Sequence, residues 1–376
     1  MKFFKIARKI LFLLPLVFFF GCSQTAEQQK YITLGALLPL TGKDADEGIR
    51  AYNGLLLAAE EINNKGGILG RKLDIIVLDD RGDEEFIVQQ YENLKDQNVA
   101  AIIGSSYSEA TMALAKAAEK DGTPIISPTA SAPDITMGRN NVFRAIFTDE
   151  YQSDAMACFA FNSLNAKSAL VLINMNHPNY MQIAEMFIKS FSIRGGTAAT
   201  EIFSGEDDFS AILKKYASKQ PDVIFCPESF LPAAKLVDTA HEAGIKSYLL
   251  GSDAWDGLLA YINYPAAMKK VYYSTPFSFN DEDAEVVNFV TNYYDHYLQL
   301  PMSAPAAAYT CVYILSEAIK ITGNTSKDAI ISAVRTNELD QIIGRIKFDQ
   351  NNNPRTNVFI IQIDGGVYST YEKLCL

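Results

Sequence analysis

Hydroxyl groups are concentrated in the turn that follows an apolar, strand-like run ending at Ile103. Residues 104–109 read GSSYSE, after which the chain takes on the apolar spacing of a helix. The first N–H groups of a helix have no partner within it and carry positive partial charge, which suits an anion. Ser108 adds a hydroxyl donor at the same place. The alternative interpretation is that Ser106 or Ser108 only caps the helix.

A second turn of the same kind follows the strand-like run that ends at Ile126. Residues 127–134 read SPTASAPD, and the two prolines stiffen this loop by fixing their own φ and restricting the residue before them. In open α/β sheets, ligands bind outside the carboxyl ends of the strands. The two turns therefore predict one polar patch that includes Ser108, Thr129 and Ser131.

An acidic turn supplies the complementary charge. Residues 251–256 read GSDAWD and follow the strand-like run 248–250. The Asp253 carboxylate can pair with a ligand ammonium through a charge-assisted hydrogen bond. Trp255 is either a wall of the site or a packing residue. Glu228 and Tyr180 lie at other strand or helix ends, where each alone also fits a structural role.

Strands and helices alternate along most of the chain, and this order predicts an α/β fold. One series of strand-like runs lies between residues 32 and 126 and a second between 169 and 250, with helical spacing between the runs. Such alternation indicates parallel sheets with right-handed crossovers and helices on both faces. We therefore predict two doubly wound, Rossmann-like lobes with a break near residues 147–150.

The last hundred residues do not predict a third lobe. A strand at Val271–Thr275 precedes three helical stretches, and two further strands, 343–348 and 358–363, flank a turn-rich link that suggests a hairpin. We predict that the chain returns to the first lobe near Pro276 and crosses back near Ile342. Lobe 1 would then comprise residues 31–148 and 276–342, lobe 2 residues 149–275 and 343–376, and three crossings would form a hinge.

The N-terminus predicts export. Four basic residues precede an apolar run from Ile10 to Phe20, which is too short to span a bilayer but fits a secretory signal over residues 1–21. Gly21 and Cys22 form the local pattern of a bacterial lipoprotein cleavage site, although Phe19 stands where such sites more often have Leu. Lipidated Cys22 would begin a short tether, residues 22–30, on the outer side of the membrane. An uncleaved N-terminal anchor is the alternative.

Composition narrows the possible partners. The net charge is −11 and no basic tract is present, which argues against nucleic acid binding. The cysteines that remain after Cys22 have no metal-ligand spacing, so we predict neither a metal nor a cofactor. The sequence does not show whether these four cysteines form disulfides; they are Cys158, Cys226, Cys311 and Cys375.

These residues resemble the branched-chain amino acid-binding branch of the type I periplasmic binding proteins, the receptors of ABC importers. The resemblance covers residues 31–365 and is carried by GALLPLTG at 35–42, GGILGR at 66–71 and EAGI at 242–245. It implies lobes that close around an amino acid or a related polar molecule, in a protein that we predict to be a monomer. It also implies delivery of this ligand to an ABC permease in the membrane.

The resemblance also implies roles for particular residues. Hydroxyl contacts would come from Ser108 and Ser131, backbone groups from the loop containing Thr129, and the ammonium would meet the acid at Asp253. The acidic segment at Glu47 stands where relatives often have an aromatic wall, and it favours a polar or cationic ligand side chain. The full predicted binding set is Glu47, Tyr107, Ser108, Thr129, Ala130, Ser131, Tyr180, Phe230 and Asp253.

Two other classes of function compete with this interpretation. An enzyme is disfavoured because the sequence has no dinucleotide-binding, P-loop or nucleophile-elbow motif, and of its three histidines only His177 lies at a strand end. A sensor or envelope regulator with the same fold, without transport, remains open.

Overall fold

The computed structural model describes residues 30–42, 45–206 and 208–374. Its strands, in chain order, are β1 Tyr31–Leu38, β2 Lys72–Asp79, β3 Ile102–Gly104, β4 Ile125–Ser127, β5 Val142–Arg144, β6 Ser168–Asn174, β7 Thr197–Phe203, β8 Val223–Phe225, β9 Tyr248–Gly251, β10 Val271–Thr275, β11 Leu339–Gln341, β12 Gly344–Ile346, β13 Val358–Asp364 and β14 Val367–Leu374.

The α-helices surround these strands. They are α1 Ala45–Asn64, α2 Glu84–Lys95, α3 Ser108–Ala118, α4 Asp149–Cys158, α5 Pro178–Ile193, α6 Asp208–Tyr216, α7 Phe230–Glu242, α8 Ala284–Tyr297, α9 Ser303–Thr322 and α10 Lys327–Thr336. A π-helical turn, Phe159–Ser163, continues α4, and short 3-10 turns lie at Pro133–Ile135, Asp253–Trp255, Leu258–Tyr261 and Pro265–Ala267.

The strands form two main sheets, which confirms the prediction of two doubly wound α/β lobes. The first sheet has the order β2-β1-β3-β4-β5 with every pairing parallel. The second has the order β14-β13-β10-β9-β8-β6-β7, and only the pairings that involve β13 are antiparallel. Strands β3, β4, β5 and β8 are buried along their whole length, as strands covered by helices on both faces require.

Close packing at two glycines fixes α1, the helix that presents Glu47. A Cβ on Gly48 would lie 1.9 Å from the carbonyl oxygen of Pro39, just after β1. A Cβ on Gly54 would lie 2.1 Å from the carbonyl oxygen of Pro305 in α9. Any larger residue would push the helix away from these neighbours, so α1 can pack this closely only because glycine occupies both positions.

The chain passes between the two lobes three times, and the third crossing lies later than the sequence predicted. Ile343 and Phe348 belong to the same hydrophobic core as β1 and α9 of the first lobe. The Asn352 side chain still donates to the carbonyls of Arg139 and Val142 there. The chain enters the core of the second lobe only at Val358. The predicted crossing near Ile342 is therefore wrong, and the first lobe extends to about residue 353.

The predicted strands 343–348 and 358–363 do not pair along their length, although the link between them forms one antiparallel bridge, between Phe348 and Pro354. Strand β12 pairs with β11 instead, in a separate two-stranded sheet, and β13 pairs with β14. The apolar residues of 343–348 pack into the first lobe, whereas the sequence pattern predicts that they belong to lobe 2. A period-two pattern shows that one face is buried, but it does not show against which core.

Several predictions concern residues beyond the described ranges. The signal segment 1–21, Cys22, most of the tether and Cys375 all lie outside them. Cys158, Cys226 and Cys311 are free thiols in the structure. Within residues 30–42, 45–206 and 208–374, none of the helices combines the length and the apolar composition that a membrane crossing requires.

Candidate functional site

A cavity of about 900 Å³ lies between the carboxyl ends of the two sheets. The structure describes all nine residues predicted to bind a ligand, and eight of them line this cavity: Glu47, Tyr107, Ser108, Thr129, Ser131, Tyr180, Phe230 and Asp253. The ninth, Ala130, is 2% exposed and is not part of the wall. The turns that the sequence singled out in different parts of the chain are therefore brought together. Their roles in binding stay predictions.

The start of α3 faces the cavity with hydrogen-bond donors. Ser108 is the first residue of this helix, and its Oγ accepts a hydrogen bond from the N–H of Ala132 at 3.3 Å. A hydroxyl that accepts in this way keeps its own proton for another acceptor. Together with the unpaired N–H groups of the first helical turn, Ser108 can hold a carboxylate.

The loop that carries Thr129 and Ser131 is held by a buried arginine. The Arg144 guanidinium is fully buried and donates to the carbonyl oxygens of Ala130 at 3.0 Å and Ala132 at 2.6 Å. Burial lowers the pKa of Arg144 to about 10. The carbonyl of Ala130 therefore helps to fix the loop that carries Thr129 and Ser131.

The turn that carries Asp253 is fixed by Trp255 and Gln152. The Trp255 side chain is fully buried, lies against Gly251, and donates from Nε1 to the carbonyl oxygen of Cys226 at 2.9 Å. It is thus a packing residue rather than a wall. The backbone N–H of Asp253 donates to Oε1 of Gln152 at 3.1 Å, and Nε2 of Gln152 donates to Asp149 at 2.9 Å.

The cavity is strongly acidic. Among the described residues that line it, Arg50 supplies the guanidinium, His177 is the one histidine, and the carboxyl groups number ten: Glu47, Asp83, Glu84, Glu85, Glu109, Asp149, Glu206, Glu228, Asp253 and Asp256. Arg50 already pairs with Asp46 at 2.9 Å. Carboxyl groups therefore greatly outnumber cationic groups around this space.

Burial and mutual repulsion shift the titration of the inner carboxyl groups. Burial, followed by the nearby Asp149 carboxyl, raises the pKa of Asp253 to about 8. Burial also raises the pKa of Glu47, although hydrogen bonds from Tyr107 and Thr129 oppose this rise. The pKa of Asp256 is raised by burial as well. Each of these groups would be stabilised in its charged form by a cation in the cavity.

The two lobes touch across the cavity. Oδ2 of Asp256 in the second lobe accepts a hydrogen bond at 2.7 Å from the N–H of Ser303, the first residue of α9 in the first lobe. At another point Asn179 of α5 donates to Oε1 of Glu109 at 3.0 Å. These two hydrogen bonds link the lobes at the cavity.

Sequence reasoning missed three residues of this site. Asp149 and Arg50 line the cavity, and Gln152 links Asp149 to the Asp253 turn. An acidic residue directly at the predicted break between the lobes was a signal for Asp149. Nothing in the local sequence signals Gln152. His177 lines the cavity as well, with its ring 5.6 Å from that of Tyr180.

The side chains of the site do not form a metal centre. Within the described ranges, no group of three or more His, Cys, Asp or Glu side chains is arranged to hold an ion. The acidic residues instead surround a space large enough for a small organic molecule.

Two α/β lobes that enclose a polar cavity at their strand ends define a class of solute-binding proteins. A family model described as "Periplasmic binding protein" matches residues 31–367. The chain belongs to this family, and its resemblance to the branched-chain amino acid-binding branch is confirmed.

Individual relatives agree with this assignment. The Leu/Ile/Val-binding protein BraC3 of Rhizobium johnstonii is 27% identical over 85% of this chain and 88% of its own length. The leucine binding protein LivK of Thermotoga maritima superimposes with a TM-score of 0.83 at 26% identity, over 91% of this chain and 98% of that one. The branched-chain amino acid transporter substrate binding protein LivJ of Streptococcus pneumoniae, solved with isoleucine, gives 0.84 at 26% identity, over 92% and 99%.

Proposed function

We propose that this protein is an exported receptor that captures an amino acid, or a similar small polar molecule, by closing its lobes and then delivers it to an ABC importer. The observation that carries the proposal is that the two lobes contribute different polar groups to the cavity. Donors at the start of α3 and in the loop containing Ser131 come from the first lobe, while Asp253 comes from the second. This arrangement is complementary to a molecule with one carboxylate and one ammonium.

Binding would proceed from the first lobe to the second. The ligand carboxylate would dock on the α3 N-terminus and on the hydroxyls of Ser108 and Ser131. Its ammonium would then be met by Asp253 when the second lobe swings over. A ligand can drive this closure only by binding the closed state more tightly than the open one. Contacts from both lobes to one small molecule satisfy that condition.

A thermal-shift screen with amino acids, carboxylates, small amides, polyamines, sugars and nucleotides tests the proposal. An amino acid present at 100 times its Kd should stabilise the protein by about 2.7 kcal/mol, which is visible as a higher melting temperature. Ser131→Ala and Asp253→Ala should each weaken calorimetric affinity for that amino acid. The exposed Ser218→Ala and Asp295→Ala serve as matched controls. Stabilisation by sugars or nucleotides alone would refute the proposed ligand class.

We also propose that the ligand leaves the protein chemically unchanged. The related proteins named above are binding proteins, and LivJ was solved with intact isoleucine. Mass spectrometry of ligand released from the protein after long incubation should recover the starting compound only. A product that accumulates with time would show that the protein is an enzyme.

Membrane attachment through Cys22 completes the proposal. The support is the basic, apolar and Gly-Cys pattern of residues 1–22. Mass spectrometry of the N-terminal peptide should find diacylglyceryl and acyl groups on Cys22, and Cys22→Ala should move the protein from the membrane to the soluble fraction. Delivery to an importer predicts that deleting the gene abolishes uptake of the ligand. The wild-type gene should restore uptake, and the Asp253→Ala variant should not.

A further inference from the structure

The cavity has more carboxyl groups than a zwitterionic ligand can pair with a cation. An amino acid with an aliphatic side chain brings one ammonium, which Asp253 would bind, and one carboxylate, which adds to the negative total. Glu47 would then be enclosed on closure with Arg50 as its nearby cation, and Arg50 already pairs with Asp46. Enclosing a charged carboxylate whose nearby cation is already paired with another carboxylate is costly.

Glu47 has capacity for one more donor. Its carboxylate lies within hydrogen-bond reach of Tyr107 and of Thr129, the latter with Oγ1 3.0 Å from Oε1. A carboxylate can accept about four hydrogen bonds, so these two hydroxyls leave acceptor positions open. Glu47 is also close enough to Tyr180 and Asp253 to raise the pKa of each, which places it within one cavity with the predicted ammonium site.

A buried hydroxyl in the wall of the same cavity independently indicates a missing partner. Ser106 lines the cavity, is 3% exposed, and its Oγ has no hydrogen-bond partner among the described residues. Its carbonyl oxygen is 2.9 Å from Oγ1 of Thr129, the residue that also contacts Glu47. A buried hydroxyl without a partner costs free energy, and an ammonium is a donor that would satisfy it.

We propose, building on the function proposed above, that the ligand is an amino acid whose side chain ends in a second cationic group, of the lysine, ornithine or arginine type. Glu47 and Ser106 receive that group, and Glu47 sets the specificity. The donors of the first lobe hold the carboxylate, which distinguishes this ligand class from simple diamines.

Calorimetry with three related ligands tests this assignment. Norleucine is lysine without its side-chain ammonium, and cadaverine is lysine without its carboxylate. Lysine, or its homologue that binds best, should bind at least about 100-fold more tightly than the matching apolar amino acid, a difference of about 2.8 kcal/mol. Its affinity should also exceed the affinity of cadaverine by at least about tenfold. Cadaverine binding as tightly as lysine would overturn the carboxylate part of the assignment.

The variant Glu47→Gln isolates the specificity. It should weaken lysine binding by at least about tenfold, a difference of about 1.4 kcal/mol, and leave norleucine binding unchanged or tighter. Exposed Glu185→Gln on α5 is the matched control. Equal losses for both ligands would show a structural role for Glu47 and overturn the assignment. Tight binding of leucine or norleucine, with none of the cationic ligands, would overturn it while leaving the proposed receptor function intact. Failure of every amino acid would refute that function itself.

Discussion

Replacing Asp253 by asparagine should have opposite effects on stability and on binding. Burial and the neighbouring Asp149 raise the pKa of Asp253 to about 8, against about 3.9 in an unfolded chain. The folded protein therefore holds this proton more strongly than the unfolded chain does. The resulting contribution to stability is complete below about pH 4 and is lost as the pH rises towards 8. Asparagine, which is neutral and nearly the same shape, escapes this loss.

The size of the effect follows from the same shift in pKa. Each pH unit between the two pKa values is worth about 1.4 kcal/mol, so the full loss between pH 4 and pH 7 would be about 4 kcal/mol. Opening of the lobes lets water reach the carboxyl group and reduces this figure. We expect Asp253→Asn to stabilise the ligand-free protein by about 2 kcal/mol at pH 7, or about 4 °C in melting temperature. At pH 4 the difference should vanish.

Melting curves of both proteins between pH 4 and pH 8 provide the assay, with exposed Asp295→Asn as a control that should show no such trend. Binding gives the second readout. Because the wild-type protein must release the Asp253 proton to accept an ammonium, its affinity should rise about tenfold between pH 6 and pH 7. The variant should bind the ligand weakly at both pH values. A lower melting temperature for the variant at pH 7, or a difference that does not change with pH, would refute the reasoning.

Three further substitutions test contacts between the lobes and within the loop that carries Ser131. Asp256→Asn removes the charge that binds the N-terminus of α9 through Ser303, so it should weaken ligand affinity about fivefold and leave the ligand-saturated protein less compact by small-angle scattering. Arg144→Met leaves two buried loop carbonyls without donors and should lower the free energy of unfolding by about 2 to 4 kcal/mol, measured by urea denaturation. Asn179→Ala removes an exposed contact to Glu109, and calorimetry should show less than about a threefold loss of affinity. A large loss there would mean that the rim, rather than the cavity, holds the lobes closed.

The predicted turns were found together because parallel sheets place the carboxyl ends of their strands at one edge. Ser108 and Thr129 follow neighbouring strands of the first sheet, and Asp253 follows a strand of the second. Ser108 and Thr129 meet because their strands are neighbours in the first sheet, whereas Asp253 faces them across the cavity between the lobes. The resemblance to a known family added Glu47, whose position in the first turn of a glycine-packed helix is not evident from local pattern.

What the sequence did not predict depends on contacts between distant segments. Strands β5 and β11 have three residues each, too few for a periodic signal, and β11 pairs within the first lobe through packing that no local pattern encodes. The contacts of the Gln152 side chain likewise give no local signal in the sequence. This side chain joins Asp149, Asp253 and Ser274, and it is buried only because α4 lies where the lobes meet.

The placement of charge links ligand recognition to closure. Glu47 belongs to the first lobe, whereas Asp253 and Asp256 belong to the second, and Glu47 and Asp256 each contribute to the repulsion that raises the pKa of Asp253. Closing an empty cavity therefore either brings like charges together in a poorly solvated space or requires a carboxyl group to take up a proton, and both are unfavourable. A cationic ligand removes this repulsion in the closed state and has little to remove in the open state. A cationic ligand consequently binds the closed state more tightly than the open state, as closure requires. For a ligand without excess positive charge, this difference in affinity is smaller.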